Sequence, residues 1–289
     1  MIKCSFVIST GAMFLVAQLS RVGGVINTVL TIVNKILRVT VSLKELAKTK
    51  SSTTKGGSMW QMSALLGVGL MGKQHLKAIH SSKKASLHSI VDINQKSKKF
   101  AEKYKVPFYI KSSYLLKNNK PDAAIVATPN QFHEKHTINL LNNKIPVLLE
   151  KPISDSIVKA KRIIDSSNKN KTHLLIGYHR RHNSIVSKIK NKISKGQLGT
   201  IVSANVMCWL YKNKEWFKEK WRVKKGGGPL GINLVHDIDL ICYLLGPIKY
   251  VQASSSNKIR KYDVEDTAVV NFVFKSGALG TLSVSDTIV

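Results

Sequence analysis

The sequence predicts an α/β fold, with a doubly wound parallel sheet built from residues 62–177. Two observations predict it. Short apolar runs alternate with helical segments from Ser63 onward, which is the pattern of consecutive strand–helix–strand units. A glycine-rich run, residues 67–72, follows the first apolar run and precedes the first helical segment. A strand, a Gly-x-Gly-x-x-Gly turn and a helix in this order are typical of a dinucleotide-binding Rossmann sheet.

The expected elements follow one another regularly along the chain. The run Ala-Ala-Ile-Val-Ala, residues 123–127, suits a strand that a parallel sheet buries on both faces. Strands are expected at residues 63–66, 87–92, 106–110, 123–127, 146–150 and 173–177. Helices are expected at residues 71–80, 95–104, 131–142 and 155–166.

Residues that can bind ligands recur at the carboxyl ends of five of these strands. Open parallel sheets bind their ligands at this edge, so the motifs predict one ligand site there. The motifs are Gly67-Val68-Gly69, Asp92, Thr128-Pro129-Asn130, Glu150-Lys151-Pro152 and Tyr178-His179-Arg180-Arg181.

The glycine-rich turn predicts how the phosphates of a dinucleotide are held. Gly67 permits a tight turn, Gly69 lets the backbone approach the pyrophosphate, and Gly72 lets the helix pack closely on the strand. The helix start at Leu70 and Met71 then directs backbone N–H groups toward the phosphates. A purely structural glycine turn is the alternative interpretation of the same residues.

Asp92 bears on the choice between the two nicotinamide dinucleotides. It lies 20 residues after Gly72. A carboxylate at this place accepts the adenosine-ribose hydroxyls and repels a 2′-phosphate, which favours NAD over NADP. Nearby Lys96 and Lys98 leave NADP possible, and a helix cap is the structural alternative for Asp92.

From Ser63 onward, about 227 of 289 residues, the chain resembles the Gfo/Idh/MocA oxidoreductases. The resemblance implies a Rossmann domain at residues 62–177 and a mixed α/β domain at residues 178–289, with an open, mostly antiparallel sheet. It also implies hydride transfer between NAD(P) and a sugar, polyol or hydroxy acid. The matching motifs are Gly67-Val68-Gly69-Leu70-Met71-Gly72, Ala127-Thr128-Pro129-Asn130 with His133, Glu150-Lys151-Pro152, and Gly226-Gly227-Gly228 before His236-Asp237-Ile238-Asp239.

The resemblance also implies the residues that carry the reaction. Lys151 and His236 match the family's acid–base candidates, and both side chains suit a proton transfer that accompanies hydride transfer. We expect Pro152 to follow a cis peptide bond that aims Lys151. Cofactor contacts are expected from the glycine turn, Asp92, Thr128, Pro129, Asn130, His133 and Glu150.

One position departs from the family pattern. Many members carry an aspartate one helical turn before the histidine, on the same face of a long helix, where this chain has Ile232. A carboxylate that would orient the substrate is missing, so we expect Asn233 to take its place. Further substrate contacts are expected from Tyr178, Arg180 and Arg222, the arginines through a carboxylate or a phosphate.

The net charge of +30 raises the question of a nucleic-acid partner. The 46 basic residues include only 7 arginines, and the lysines are spread along the whole chain. Base readout favours clustered arginine, so we favour a compositional bias over nucleic-acid binding. Cys4, Cys208 and Cys242 show neither a paired framework nor metal-ligand spacing, which predicts a reducing, cytoplasmic environment and no metal. We expect no membrane partner, and a homo-oligomer if full length.

The two ends of the chain differ from the expected domains. Residues 1–61 are predicted to be a disordered or misassigned extension, with Met59 or Met62 as the functional start. A targeting segment, which would make the protein secreted or membrane-anchored, and a structured extension stay open, because residues 5–20 are largely apolar and Arg21 interrupts them. Residues 268–274 and 278–284 are expected to be paired strands of a truncated second domain.

Three functions are compatible with these motifs. The glycine turn, Lys151 and His236 together favour an NAD(P)-dependent dehydrogenase acting on CH–OH groups. An NAD-dependent glycoside hydrolase would use the same cofactor without net NADH formation. A non-catalytic, degenerate nucleotide-binding protein is the third hypothesis, favoured by the missing aspartate at Ile232.

Overall fold

The structure, a computed structural model, describes residues 5–9, 61–224 and 226–288. The chain divides into two compact units, and the division falls between Gly177 and Tyr178. Residues 61–177 are called the Rossmann unit below, and residues 178–288, together with strand β1 (Ser5–Ser9), are called the second unit. No helix within the described ranges is long and apolar enough to cross a membrane.

Six parallel strands form the sheet of the Rossmann unit. They are β2 (Gln61–Leu66), β3 (Ala85–Val91), β4 (Phe108–Tyr109), β5 (Ala123–Val126), β6 (Val147–Leu149) and β7 (Leu174–Ile176). Their order is β4-β3-β2-β5-β6-β7, so β2 pairs with β3 on one side and with β5 on the other. The winding direction reverses between β2 and β5, and open α/β sheets bind ligands at such a switch point.

Helices connect these strands as the alternating pattern predicts, and the predicted doubly wound parallel sheet is confirmed. They are α1 (Leu70–His80), α2 (Lys98–Tyr104), α3 (Ser112–Asn118), α4 (His133–Asn142) and α5 (Ile157–Asn170). Helix α3 is missing from the sequence prediction because its seven residues are too few to show a helical period. The 3-10 turns Gln95–Ser97 and Asn130–Phe132 precede α2 and α4, where the sequence predicts continuous α-helix.

The core of the Rossmann unit lies between the sheet and helix α1. Leu65 of β2 and Ile90 of β3 are fully buried, and Ile125 of β5 packs in the same cluster. Leu76 and Ile79 of α1 face these strands, three residues apart along the helix. Burial of this helix face against β2 fixes where α1 begins, directly after the glycine turn.

The second unit is built on a mixed sheet. Its strands are β1, β8 (Ser203–Trp209), β9 (Ile248–Ser256), β10 (Thr267–Phe274) and β11 (Leu279–Ser285), in the order β1-β8-β11-β10-β9. Strand β10 pairs antiparallel with β9 and β11, whereas β8 pairs parallel with β11 and β1. The expected antiparallel character therefore applies to β9, β10 and β11, and the two expected strands near the chain end correspond to β10 and β11.

One face of this mixed sheet is buried and the other is exposed. Alternate residues of β10, such as Val270 and Phe272, are buried, whereas Val269, which precedes Val270, is 53% exposed. Strand β11 shows the same alternation, with Leu279 exposed and Gly280 buried. This period of two is typical of a sheet that covers a core with one face only.

Three helices belong to the second unit, namely α6 (Ser184–Ser194), α7 (Pro229–Ile232) and α8 (Val235–Leu245). Most of α8 is buried, including the polar residues His236, Asp237 and Asp239. Buried ionisable groups need partners, so α8 is the element of this unit where chemistry is expected.

The N-terminal residues are described only in part. Strand β1 pairs parallel with β8, with Ser5 opposite Ser203 and Ser9 opposite Met207. The prediction of a disordered or misassigned extension otherwise concerns residues outside the described ranges, including the Ser/Thr/Lys-rich linker at 48–58.

Gly280 offers a test of the packing within the mixed sheet. A Cβ at this position would overlap the ring of Phe272, which is itself buried against Phe274. We expect Gly280→Ala to lower the free energy of unfolding by about 1–3 kcal/mol, since the ring has little room to move. The matched control is Thr281→Ala at the neighbouring exposed position, with an expected change below about 0.5 kcal/mol. Urea unfolding of both variants measures the difference, and equal effects would contradict this packing.

Candidate active site

The glycine turn between β2 and α1 depends on the absence of two side chains. Gly67 has a φ of +90°, and its N–H donates to the Val91 carbonyl oxygen at 2.8 Å. A Cβ on Gly67 would lie 2.7 Å from the carbonyl oxygen of Ala127, and one on Gly72 would overlap the carbonyl oxygen of Gly67. Both positions therefore need glycine, and together they bring the start of α1 close to the strand ends.

The first turn of α1 leaves a space and donors that fit a pyrophosphate. A Cβ on Gly69 would meet no atom within 4 Å. Leu70 is 70% exposed and Met71 is also exposed, and α1 has neither a side-chain cap nor an acidic residue in its first turn. The first N–H groups of a helix lack intrahelical acceptors and carry partial positive charge. This cradle fits the phosphates of a dinucleotide, as the sequence predicts.

Asp92, at the end of β3, is held beside the glycine turn. Its Oδ2 accepts hydrogen bonds from the Val68 N–H at 2.8 Å and from the Ser97 hydroxyl at 3.0 Å. Its Oδ1 accepts one hydrogen bond, from the Asn94 N–H at 2.9 Å. A carboxylate oxygen has two lone pairs, so Oδ1 retains capacity for one more donor, such as a ribose hydroxyl. Asp92 therefore stabilises the turn and keeps acceptor capacity for the ribose hydroxyl that it is predicted to bind.

Three cofactor-site candidates follow β5. Pro129 is exposed, while Thr128 and Asn130 are half-buried at the start of the 3-10 turn. The Thr128 hydroxyl is shielded from solvent and has no hydrogen-bond partner among the described residues. A buried hydroxyl without a partner costs stability, so this group fits a ligand that supplies one.

His133 occupies a different position from the direct cofactor contact that the resemblance implies. It is fully buried, with Nε2 at 2.8 Å from the Thr128 carbonyl oxygen and Nδ1 at 2.9 Å from that of Pro152. Burial lowers the pKa of His133, while the two carbonyl oxygens act in the opposite direction. Because both ring nitrogens face the backbone, this geometry favours a positioning role that joins the loop after β5 to the loop after β6.

Glu150 forms a contact that sequence reasoning missed. Its Oε1 lies 2.8 Å from Nε2 of His75, on α1, and its Oε2 accepts from the Lys151 N–H at 3.2 Å. Burial alone would raise the pKa of the Glu150 carboxyl, but His75 and Lys151 outweigh it and lower that pKa. His75 lies three residues after Gly72 on the helix that starts at the glycine turn, but its partner is 75 positions away, so no local spacing indicates the contact.

Lys151 follows Glu150 directly at the carboxyl end of β6. Its side chain is half-buried, and its peptide bond to Pro152 is cis, as predicted. The contact of Glu150 with α1 anchors this strand end to the helix that begins at the glycine turn. Lys151 is therefore held on the same edge of the sheet as the pyrophosphate cradle.

In the second unit, His236 lies among other aromatic and imidazole rings. It is 8% exposed near the start of α8. Its ring centroid is 4.8 Å from that of His179 and 6.4 Å from that of Tyr178. Tyr178 is buried, which raises its pKa. His179, which the sequence suggests only as part of the motif at a strand end, is exposed and contacts the predicted acid–base residue.

The two arginines after Tyr178 pair with carboxylates of α8. Arg180 Nη1 donates to Asp237 Oδ1 at 2.6 Å, and Arg181 binds both oxygens of Asp239, with Nε donating to Oδ2 at 2.6 Å. Burial raises the pKa of Asp239 to about 6, although the Arg181 contact acts in the opposite direction. Arg180 is thus engaged with a protein carboxylate, which leaves Arg222 as the stronger of the two predicted anion-binding arginines.

The expected long helix before His236 is two helices. Helix α7 ends at Ile232 and α8 begins at Val235, with Asn233 and Leu234 between them. Ile232 is therefore not one turn before His236 on a continuous helix, contrary to the sequence expectation. The carbonyl oxygen of Asn233 accepts from the His236 N–H at 3.5 Å, so Asn233 contacts the residue that it was expected to accompany.

Comparison with known proteins identifies the family. The model described as "Oxidoreductase family, NAD-binding Rossmann fold" matches residues 62–178, and that of the GFO/IDH/MocA C-terminal domain matches residues 186–288. The chain belongs to the Gfo/Idh/MocA oxidoreductase family. This membership confirms the resemblance on which the site was predicted, and it confirms the predicted NAD-binding Rossmann domain.

Several curated relatives of this Gfo/Idh/MocA protein are dehydrogenases. Glucose-6-phosphate 3-dehydrogenase of Bacillus subtilis is 31% identical over 186 residues, which are 62% of this chain and 52% of the relative. Myo-inositol 2-dehydrogenase of Thermotoga maritima is 27% identical over 225 residues, which are 75% of this chain and 66% of the relative. The chain thus spans between about half and two thirds of the length of these two relatives.

A solved structure has a similar fold. The WlbA dehydrogenase of Bordetella pertussis, solved with NADH and UDP-GlcNAcA, has a TM-score of 0.74 and 24% identity. The match covers 79% of this chain and 72% of that chain. At this identity the likeness concerns the fold. Within the described residues, no group of three or more His, Cys, Asp or Glu side chains could hold a metal ion.

Substitutions at two glycines of the turn are expected to affect folding and cofactor binding separately. We expect Gly72→Ala to lower the free energy of unfolding by about 1–3 kcal/mol, because its Cβ overlaps the backbone of Gly67. We expect Gly69→Ala to change that free energy by less than about 1 kcal/mol. The same Gly69→Ala change should weaken NAD+ binding about tenfold, since its methyl group enters the open cradle. Urea unfolding and calorimetric titration with NAD+ measure the two effects, and a Gly69→Ala variant with wild-type affinity would exclude the cradle.

Proposed function

We propose that this protein is an NAD-dependent dehydrogenase that transfers a hydride between nicotinamide and a CH–OH group of a sugar, polyol or hydroxy acid. One observation carries the proposal most directly. The residue before Lys151 bonds to His75 on the helix that starts at the glycine turn, with 2.8 Å between Glu150 Oε1 and His75 Nε2. A candidate proton-transferring amine is thereby anchored to the element that holds the cofactor phosphates.

Different residues of the Rossmann unit are proposed to contact different parts of the cofactor. The N–H groups at Gly69, Leu70 and Met71 suit the pyrophosphate, and Asp92 suits the adenosine ribose. Thr128 offers a hydroxyl at the carboxyl end of β5. The bound nicotinamide supplies the hydride acceptor or donor.

The protein then supplies the proton transfer that must accompany hydride transfer. A hydroxyl that loses a hydride from its carbon must also lose its O–H proton to form a carbonyl. We propose that Lys151 accepts this proton, and donates it in the reverse direction, because an amine can act as a general base. His236 is the second proposed acid–base group, and Asn233, Tyr178 and Arg222 are proposed to contact the substrate.

The relatives support the substrate class. Their names denote dehydrogenases of a sugar phosphate, of a cyclitol and of a glucoside. Each substrate carries ring hydroxyls that a hydride acceptor can oxidise. We therefore propose a small, polyhydroxylated substrate for this chain.

We also propose a homo-oligomer that assembles through the exposed face of the mixed sheet. This face carries Met207, Tyr250, Val269 and Leu279, of which the last three are at least half exposed. Strand registry puts them on one side, because Val269 lies opposite Ser283, which in turn lies opposite Met207. Contiguous exposed apolar residues on a sheet face are typical of a protein–protein contact.

The cytoplasm is the proposed compartment. Both cysteines in the described part of the chain, Cys208 and Cys242, are buried free thiols. Free thiols are typical of a reducing environment, whereas exported proteins tend to pair their cysteines.

The role of Lys151 can be tested by a charge-removing substitution. We expect Lys151→Met to lower kcat for NADH formation by about 10²- to 10⁴-fold, the usual contribution of general acid–base catalysis. Lys161→Met, at an exposed position of α5, is the matched control and should leave kcat unchanged. The measurement is NADH absorbance with the full chain across a polyol, sugar and hydroxy-acid panel.

The same panel separates the competing functions. Undiminished turnover in Lys151→Met would contradict the proposed base. Release of sugar from a glycoside without net NADH would indicate the NAD-dependent hydrolase instead. Tight NAD+ binding without any turnover would indicate a non-catalytic nucleotide-binding protein.

Cofactor preference can be tested at Asp92. We expect Asp92→Asn to raise the ratio of kcat/KM for NADP+ to that for NAD+ at least about tenfold, because it removes a negative charge beside the 2′-position. The amide oxygen can still accept at one of the two carboxylate positions, so either the Val68 or the Asn94 N–H bond is kept and the other is lost. Glu102→Gln, on the neighbouring α2, removes the same charge from an exposed position and should leave the ratio unchanged. An equal ratio in wild type and Asp92→Asn would exclude a cofactor-selecting role.

A further inference from the structure

Arg222 differs from the other arginines of the described residues. Five arginines lie in residues 61–224 and 226–288. Within these ranges Arg222 forms no salt bridge, and its Nη1 donates to the Trp216 carbonyl oxygen at 2.8 Å. Its Nε is shielded from solvent and has no hydrogen-bond partner in this part of the chain. The four arginines that do pair with a carboxylate are Arg162, Arg180, Arg181 and Arg260.

A second cation lies against the same aromatic ring as Arg222. The guanidinium carbon of Arg222 is 3.7 Å from the ring centroid of Trp216, and Nζ of Lys212 is 4.5 Å from it. Lys212 likewise forms no salt bridge in the described ranges. Burial lowers its pKa, the charges of Cys208 and Asp286 act in the opposite direction, and the charge of Arg222 lowers it slightly further. Two like charges on one indole repel each other, so an anion between them would be favourable.

Two carboxylates of the second unit are already engaged with other arginines. Asp286 accepts from Arg260 Nε at 2.7 Å, and Asp237 accepts from Arg180 at 2.6 Å. Each of these pairs is neutral as a unit. The positive charges of Lys212 and Arg222 are therefore left without a carboxylate in direct contact in this part of the second unit.

The main chain fixes the position of Lys212 in the second unit. Lys212 follows β8, and its N–H donates to the Asp286 carbonyl oxygen at 2.9 Å.

We propose that Lys212 and Arg222, stacked on Trp216, bind an anionic group of the substrate, a carboxylate or a phosphate. This proposal rests on the proposed function in one respect, because it assigns the anionic group to the substrate of the proposed dehydrogenase. Free guanidinium N–H groups can bind two oxygens of such an anion, while an ammonium adds a point charge. Arg180 is excluded from this role because it already binds Asp237. The substrate class thereby narrows from polyols in general to hydroxy compounds with a negative charge.

This inference can be tested by measuring the turnover of three hexoses that differ only at C6 by the full chain. We expect kcat/KM for glucose 6-phosphate or glucuronate to exceed that for glucose by about 10- to 100-fold, the range of a charge-assisted hydrogen bond. Lys212→Met and Arg222→Lys should each remove about tenfold of this preference. Lys214→Met is the matched control, since Lys214 is an exposed lysine two residues away. The two anions distinguish phosphate from carboxylate recognition.

A calorimetric titration in the presence of NADH measures the affinity for each hexose and does not require turnover. Binding of glucose 6-phosphate or glucuronate that is weakened in Lys212→Met and Arg222→Lys, but not in Lys214→Met, supports the anion site. If such binding occurs and no NADH forms with NAD+ from any member of the polyol, sugar and hydroxy-acid panel, the proposed function fails and the anion site stands. If neither anion binds more tightly than glucose, or the control variant weakens binding equally, the anion site is overturned whatever the turnover.

Discussion

The close approach of helix α1 to the glycine turn is the constraint on which the rest of the Rossmann unit depends. Gly72 has no room for a Cβ because the carbonyl oxygen of Gly67 occupies that place, and Gly67 has no room because of Ala127. The helix can therefore start beside the strand ends, with its free N–H groups facing outward. Burial of Leu76 and Ile79 on the sheet holds the helix in this position. A larger residue at either glycine would displace the phosphate cradle and the start of α1 together.

Buried polar groups then fix the loops around the cradle. Glu150 and His133 are both largely withdrawn from solvent, which is unfavourable unless hydrogen bonds compensate. Glu150 is compensated by His75, and His133 by the carbonyl oxygens of Thr128 and Pro152. Loss of one partner would leave the other unsatisfied, at a cost of about 1–3 kcal/mol. The hydrogen bonds that compensate for the burial of Glu150 and His133 also hold the backbone on both sides of Lys151.

The sequence predicts what depends on local pattern and misses what depends on distant partners. The glycine turn, the parallel strands and the cis bond before Pro152 follow from short motifs, and each is found. The pairing of His75 with Glu150 joins residues 75 positions apart, so no local period indicates it. The break between α7 and α8 is likewise hidden, because Ile232 and Val235 both suit a helix face. Arginine partners also depend on tertiary packing, which is why Arg180 and Arg222 look equivalent in the sequence.

The replacement of the family's usual aspartate by Ile232 takes on a physical meaning in the second unit. Asp237 and Asp239 are neutralised by Arg180 and Arg181, so the carboxylates of α8 contribute little net charge. An additional aspartate would have added an uncompensated negative charge to this unit and would have repelled an anionic ligand. With isoleucine at this position, the second unit gains no further negative charge, and Lys212 and Arg222 lie against Trp216 without a salt bridge to a carboxylate in the described residues. The absence of this aspartate and the positive charges of Lys212 and Arg222 both favour an anionic ligand. Isoleucine at position 232 is therefore consistent with a change of substrate as well as with a loss of activity.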